Sequence, residues 1–323
     1  MKKYLMFRTD GIGDFLISYI LITAIKRNEP KSTIIVIASK KNYTYVKSFS
    51  YIDEIILFPD SYISRFKLLY TLRKKYFDEI LVLDGKERSI ITSLFLNSKN
   101  KILLNSKKYH NNIFKFFYKF IFVENINSHF QNILSLLKIF NFDFKEEDIN
   151  CLNNRNYEKS KISKYENITK DKISILHLDE KWIFNEYISF YINIEPKDEE
   201  LVAFVKEISI KIKNKLIITT GIKSNRLVDS LRSRFINNDK IIIIPKLDFL
   251  DLEYLISKSN LLITCHGAAS HIANSKSIKI IDIIDHNPKN PYEKWTEHFR
   301  NYKPIYRKKF SELSKEIINN INS

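Results

Sequence analysis

Short apolar runs rich in β-branched residues alternate along this chain with longer stretches of mixed apolar and polar character. Residues 4–7, 33–38, 54–58 and 79–83 read as strands, and 101–104 as a fifth. Between them the apolar spacing is helical: over 14–26, Phe15, Ile17, Leu21, Ala24 and Ile25 recur at helix intervals, and Asp14 stands where a first-turn acid is favoured. The pattern restarts further on, with strands at 173–178, 215–219, 240–244, 261–264 and 279–284 and helices at 197–213, 227–235 and 250–258. Strand–helix alternation of this kind predicts parallel βαβ units, hence an α/β fold. The polar, aperiodic stretch 151–171 reads as an interdomain linker. The expected division is a Rossmann-like domain over 1–160, a second over 170–305, and a final helix within 306–323 that packs back across the junction.

A length of 323 residues suits two domains, and 44% hydrophobic with 13% aromatic residues is the composition of a folded chain. Lys and Arg number 53 against 37 Asp and Glu, a formal charge of +16. That balance favours anionic partners: nucleotide diphosphates, nucleic acid or an acidic membrane surface. Abundant Lys, Ile and Asn also fit an AT-rich coding bias, which raises the basic count without function. Cys151 and Cys265 stand far apart with no CxxC spacing, which argues against a disulfide scaffold or zinc site and suits a reducing cytoplasm. Only four apolar residues separate Lys3 from Arg8, too few for a signal-peptide core of about 7 to 15. The uncharged run 15–25 is shorter than the about 18 residues a membrane span needs. A cytoplasmic protein is expected.

The first strand runs into "RTDGIGDFL", residues 8–16. Gly11 and Gly13 between strand and helix suggest a dinucleotide turn, but Leu16 occupies the place of the third glycine, and residues 38–41 lack the usual acid after the second strand. The lysines there suit a 2′-phosphate, which keeps an NADP oxidoreductase open. Alternatively, the glycines let a ligand approach while Asp14 acts as a base, or Asp14 only caps its helix. Near the other end, "TCHGAASH" turns a strand into a helix on small residues, so backbone amides at Gly267, Ala268 and Ala269 form a diphosphate seat, with His266 and His271 beside it.

Residues 7–26, "FRTDGIGDFLISYILITAIK", and 247–284, "LDFLDLEYLISKSNLLITCHGAASHIANSKSIKIIDII", together resemble the two end signatures of glycosyltransferase family nine, the bacterial lipopolysaccharide heptosyltransferases. Weaker similarity lies in "HFQNILSLLKIFNF", "LHLDEKW" and "LIITTG". The resemblance implies a GT-B architecture, two Rossmann-like parallel-sheet domains facing a cleft. It also implies inverting transfer of heptose from ADP-heptose to lipopolysaccharide core, with no metal and no other cofactor. On that basis Asp14 is the catalytic base. Lys181, Thr219, Thr220, Gly221, Asn225, His266, Gly267, Ala268, Ala269 and His271 hold the donor, and Arg8, Gly13, Lys107 and Lys108 face the acceptor. His266 stands where the family has an aspartate, and Asn225 where it has the acid that holds the ribose; both departures lie on the donor side.

Residues 107–123, "KKYHNNIFKFFYKFIFV", mix four lysines with many aromatics and read as a contact to the inner membrane or to acidic lipid-core phosphates, or as a helix with a basic solvated side. No RNP, OB or helix-turn-helix pattern accompanies them, so nucleic acid is not an expected partner. A non-catalytic nucleotide-sugar-binding protein of the same fold is the main alternative to the transferase.

Overall fold

The computed structural model describes residues 1–123, 126–153, 155–187, 191–286 and 291–322, without the side chains of residues 105, 108, 110 and 111. The chain forms two compact units: Met1–Cys151 with Glu293–His298, and Leu152–Tyr292 with Phe299–Ser323.

In the first unit β1 (Lys3–Arg8), β2 (Thr33–Ala38), β3 (Glu54–Leu57), β4 (Tyr76–Val82), β5 (Asn97–Ser106) and β6 (Phe120–Val123) form one parallel sheet in the order β3-β2-β1-β4-β5-β6. The central strands are near-continuous apolar runs because helices cover both of their faces. The helix Ile12–Asn28 buries residues around nearly its whole circumference, from Phe15 to Ile25. On the sheet, Leu5, Phe7, Val82 and Leu103 join Leu72 of the helix Tyr62–Arg73 and Ile90 of the helix Glu87–Leu94 in one cluster. The order of strands reverses direction between β1 and β4, and in open α/β sheets the turns leaving such a pair line the ligand crevice. Here those turns are 9–11 and 83–86. Gly85 in the second adopts φ 60°, a left-handed conformation that a side chain disfavours.

The second unit repeats this plan with β7 (Ile173–His177), β8 (Lys215–Thr219), β9 (Ile241–Ile244), β10 (Ser259–Cys265), β11 (Lys279–Ile284) and β12 (Tyr302–Tyr306), all parallel, in the order β12-β11-β10-β7-β8-β9. Its reversal lies between β7 and β10, so the turns at 178–183 and 266–267 fall at the equivalent place.

Two sequence expectations change. The stretch 107–123 is a helix, Lys108–Phe114, followed by strand β6, where a single aromatic helix was one of the readings. The stretch 151–171 contains the helix Lys159–Thr169 with Tyr165 buried, and Arg155 pairs with the fully buried Glu253 at 2.6 Å. In the final helix, Phe310–Asn319, Phe310 meets Phe204 edge to face, and Leu313 and Ile317 join the core of the second unit. Among the described residues, no helix is long and apolar enough to cross a membrane.

Candidate active site

In the first unit the turn after β1 is fixed from below by Arg8. Its guanidinium is 3% exposed and donates from Nε and Nη2 to the Asp14 carbonyl and from Nη1 to the Leu83 carbonyl and Asp10 Oδ2. It therefore clamps the helix start to the turn after β4. Asp84 completes the clamp, accepting from Thr9 N–H, Thr9 Oγ1 and Ser89 Oγ, while Lys86 Nζ donates to the Thr9 carbonyl.

On this frame Gly11 caps the helix Ile12–Asn28, and Asp14 sits in its first turn beside the partly exposed Gly13. Asp14 Oδ2 accepts from the Gly11 N–H at 3.1 Å. Among the described residues its Oδ1 has no hydrogen-bond partner, so one oxygen is held and the other is open to a hydroxyl. A Cβ on Gly11 would stand 3.1 Å from that same Oδ2, which gives Gly11 a spacing role not recognised in the sequence.

Two further groups flank Asp14 that motif reading passed over. His129 opens the helix His129–Ile139, with its ring 5.3 Å from that of Trp295; burial, with the Arg8 charge, pushes its imidazole down to about 4 against the opposing pull of Asp14. It is neutral at physiological pH. Asp10 Oδ1 is buried without a partner, and burial pushes this carboxyl up to about 7; Arg8 opposes the rise, and Asp14 and Asp84 add to it. The ordinary value is about 4, so the folded protein holds a proton that the unfolded chain has released between about pH 4 and 7. Asp10 thus costs no stability below that window and its full penalty above it. Asp10→Asn is expected to remove this loss, so that urea melts show a variant increasingly more stable than the parent as pH rises from 4.5 to 8. A difference that does not grow with pH would contradict the assignment.

Of the acceptor-side lysines, Lys107 is exposed, with Glu87 Oε1 3.5 Å from its Nζ, and the side chain of Lys108 lies outside the described residues.

In the second unit Asp179 caps the short turn Glu180–Trp182, accepting the Lys181 N–H at 3.1 Å and its Nζ at 2.6 Å. Trp182, fully buried, donates from Nε1 to the His177 carbonyl and locks the turn onto β7. Burial alone would lower the Lys181 ammonium, but Asp179 outweighs it and the net shift is upward. Arg307 then donates from Nη2 to the Lys181 carbonyl at 2.6 Å, a clamp invisible to the motifs.

Lys181 Nζ arrives at the turn after β10. An ideal Cβ on Gly267 would lie 2.7 Å from it. Gly267 has an extended φ of 174°, so the need for glycine here is one of space. The amides of Ala268 and Ala269, the first residues of the helix Ala268–Ser275, lack acceptors a turn earlier, as at any helix start. Ammonium, amides and helix N-terminus together offer the donors from which a phosphate seat can be built.

His266, beside this seat, donates from Nδ1 to Asp282 Oδ2 at 2.6 Å. Asp282 is fully buried and also accepts from Ser270 Oγ at 2.8 Å and Tyr302 hydroxyl at 3.2 Å. Its position as the one acid among the isoleucines of β11 was the available signal. Nε2 of His266 has no hydrogen-bond partner among the described residues. His271 is 4% exposed, with its ring 5.4 Å from that of His266.

The other expected donor residues divide. Thr219 and Thr220 are fully buried, their hydroxyls engaged by His177 Nδ1 and by the Lys246 N–H, so their side chains serve the fold. Asn225 caps the helix Arg226–Arg234, accepting the Val228 N–H and donating to the Leu178 carbonyl. Asn225→Ala is expected to cost about 1 kcal/mol of stability, measured by denaturant unfolding. Gly221 faces open space, with no atom within 4 Å of a Cβ built on it.

No family model matches the sequence, and no curated protein does either. Solved structures do match its fold. E. coli heptosyltransferase WaaC with ADP aligns over 98% of this chain and 99% of its own, with a TM-score of 0.70 at 10% identity. E. coli ADP-heptose lps heptosyltransferase II aligns over 100% and 98%, with 0.69 at 13%. UDP-GlcNAc 2-epimerase from Methanocaldococcus jannaschii aligns over 99% and 93%, with 0.59 at 13%. With its two parallel six-stranded Rossmann-like sheets, the chain has the GT-B fold of the heptosyltransferase structures.

Proposed function

We propose that this protein is a glycosyltransferase of family nine that moves a sugar, with inversion, from a nucleotide-sugar donor to a lipopolysaccharide core or related surface glycan. Heptose from ADP-heptose is the donor proposed. The observation that carries the reading is the pair of prepared groups at equivalent turns of the two units: a carboxylate with one oxygen open, and a lysine seated against a glycine at a helix N-terminus. Similarity in fold to structures described as heptosyltransferases, one of them with ADP, supports it.

In this reading the acceptor hydroxyl oxygen attacks the anomeric carbon while its proton passes to Asp14 Oδ1. The bond from that carbon to the diphosphate oxygen breaks, and its electron pair leaves with the nucleoside diphosphate. A carboxylate is a weak base, so its contribution comes chiefly from placement. Lys181 and the amides of Ala268 and Ala269 are fixed before reaction and stabilise the departing charge.

A nucleotide-sugar epimerase is the second reading, favoured by the His266–Asp282 pair, whose fixed Nδ1–H leaves Nε2 to accept a proton. Incubation with ADP-heptose and other nucleotide sugars, with and without truncated lipopolysaccharide, separates the two by mass spectrometry. Acceptor-dependent release of nucleoside diphosphate with a glycan one sugar heavier is the expected result. An isomerised nucleotide sugar formed without acceptor would establish the epimerase instead, and binding with neither product would leave a non-catalytic binding protein.

A further inference from the structure

The helix Tyr62–Arg73 has two apolar sides. Its inner side places Leu68, Leu69 and Leu72 on the sheet cluster of the first unit. Its outer side carries Tyr62, Ile63, Phe66 and Tyr70, exposed by 77%, 72%, 69% and 67%. At about 100° per residue these four fall within about 100° of arc, a continuous stripe of large apolar groups in water. Folding the unit does not require them, since the core is completed by the opposite side.

The cations are placed to match. Residues 62–74 hold Arg65, Lys67, Arg73 and Lys74 and no acid. Arg73 lies within the arc of the stripe and Lys67 and Lys74 at its margin. Lys74 Nζ stands 4.3 Å from the centre of the Tyr70 ring, and the Arg65 guanidinium 5.2 Å from that of Tyr62. Among the described residues, Lys67, Arg73 and Lys74 have no acidic partner. The helices Glu87–Leu94 and Lys108–Phe114 pack on the same cluster through Ile90 and Phe114, and just beyond their ends Phe95 and Phe116 are exposed as well.

We propose that this face docks on an anionic lipid bilayer, with Tyr62, Phe66 and Tyr70 at the level of the headgroups and Lys67, Arg73 and Lys74 against their phosphates. Aromatic residues with a polar handle settle at that boundary, and the basic residues beside them draw the helix to negative headgroups. A second copy of the same face is the poorer occupant, because it sets the like charges of Lys67, Arg73 and Lys74 against each other. The membrane contact expected from the sequence lay in residues 107–123; the stripe on Tyr62–Arg73 lies on a different helix, and it stands independently of sugar transfer.

The test is sedimentation of the full chain with vesicles of phosphatidylcholine alone and of an equimolar mixture with phosphatidylglycerol. Binding to the mixed vesicles at least about tenfold tighter than to the neutral ones, weakened by salt, is expected. Tyr62→Ser/Phe66→Ser/Tyr70→Ser and Lys67→Gln/Arg73→Gln/Lys74→Gln alter only the outer side, so both should keep the parental melting temperature and each lose that binding by at least about tenfold. No sedimentation of the parent, or undiminished sedimentation of both variants, would overturn the proposal. So would a parental dimer in light scattering that the serine variant converts to monomer. Because the readout involves no sugar, a working transferase that ignores vesicles sinks only the docking face.

Discussion

Asp14→Asn is expected to slow acceptor-dependent sugar transfer by about a thousandfold, within the range lost when a positioned base is removed. The amide is the informative replacement because its Oδ1 still accepts from the Gly11 N–H, keeping the helix start that Asp14 now holds at 3.1 Å. Alanine would add the loss of that first-turn contact, worth about 1 kcal/mol, and blur rate with stability. The Arg8 clamp bonds the backbone carbonyl of residue 14, not its side chain, so the frame should survive. Nucleotide-sugar affinity, measured by calorimetry, should be unchanged, since the groups proposed to meet the diphosphate lie in the other unit. Full turnover by the variant would remove Asp14 as base. Loss of nucleotide binding together with rate would show that the substitution acted through the fold.

Much of this scaffold was legible because parallel strands buried on both faces read as unbroken apolar runs: 33–38, 215–219 and 279–284 coincide with β2, β8 and β11. The two strands that escaped are at the sheet edges. Tyr302–Tyr306 carries Lys303 and Pro304, tolerated where one side of the strand has no ladder to keep, and Phe120–Val123 follows directly on a lysine-rich aromatic stretch with no turn residue to separate them. Motif reading points to Asp14, Lys181 and Gly267, the groups proposed above to act on the substrate, because glycines and small residues mark where chain and ligand come close. It did not find what aims them. Asp282 and Arg307 act through partners 16 and 126 residues away along the chain, separations that no local motif encodes, and Asp179, only 2 residues from Lys181, is marked by neither a glycine nor a small-residue turn. It also assigned Thr219, Thr220 and Asn225 to a ligand, whereas their side chains are engaged within the fold, since a polar residue at a strand end serves a turn as readily as a substrate.

Gly267→Ala follows from that division between reactive and aiming groups, and should lower kcat/KM for the nucleotide sugar by about a hundredfold without a comparable loss of stability. An extended backbone at residue 267 admits alanine, so the new methyl does not strain the chain. What it meets at 2.7 Å is Lys181 Nζ, the far end of a flexible side chain, and the ammonium must move off the helix N-terminus. Asp179 is still there to receive it, so the charge stays paired and the unit stays folded while the phosphate seat loses its cation. Lys181→Met removes the same charge but leaves the Asp179 carboxylate, 7% exposed, without the ammonium, and should therefore lose stability as well as rate. The two variants should thus agree in kinetics and differ in melting temperature. Wild-type kinetics in Gly267→Ala would mean that the ammonium need not rest on this turn, and the phosphate seat would have to be sought elsewhere in the unit.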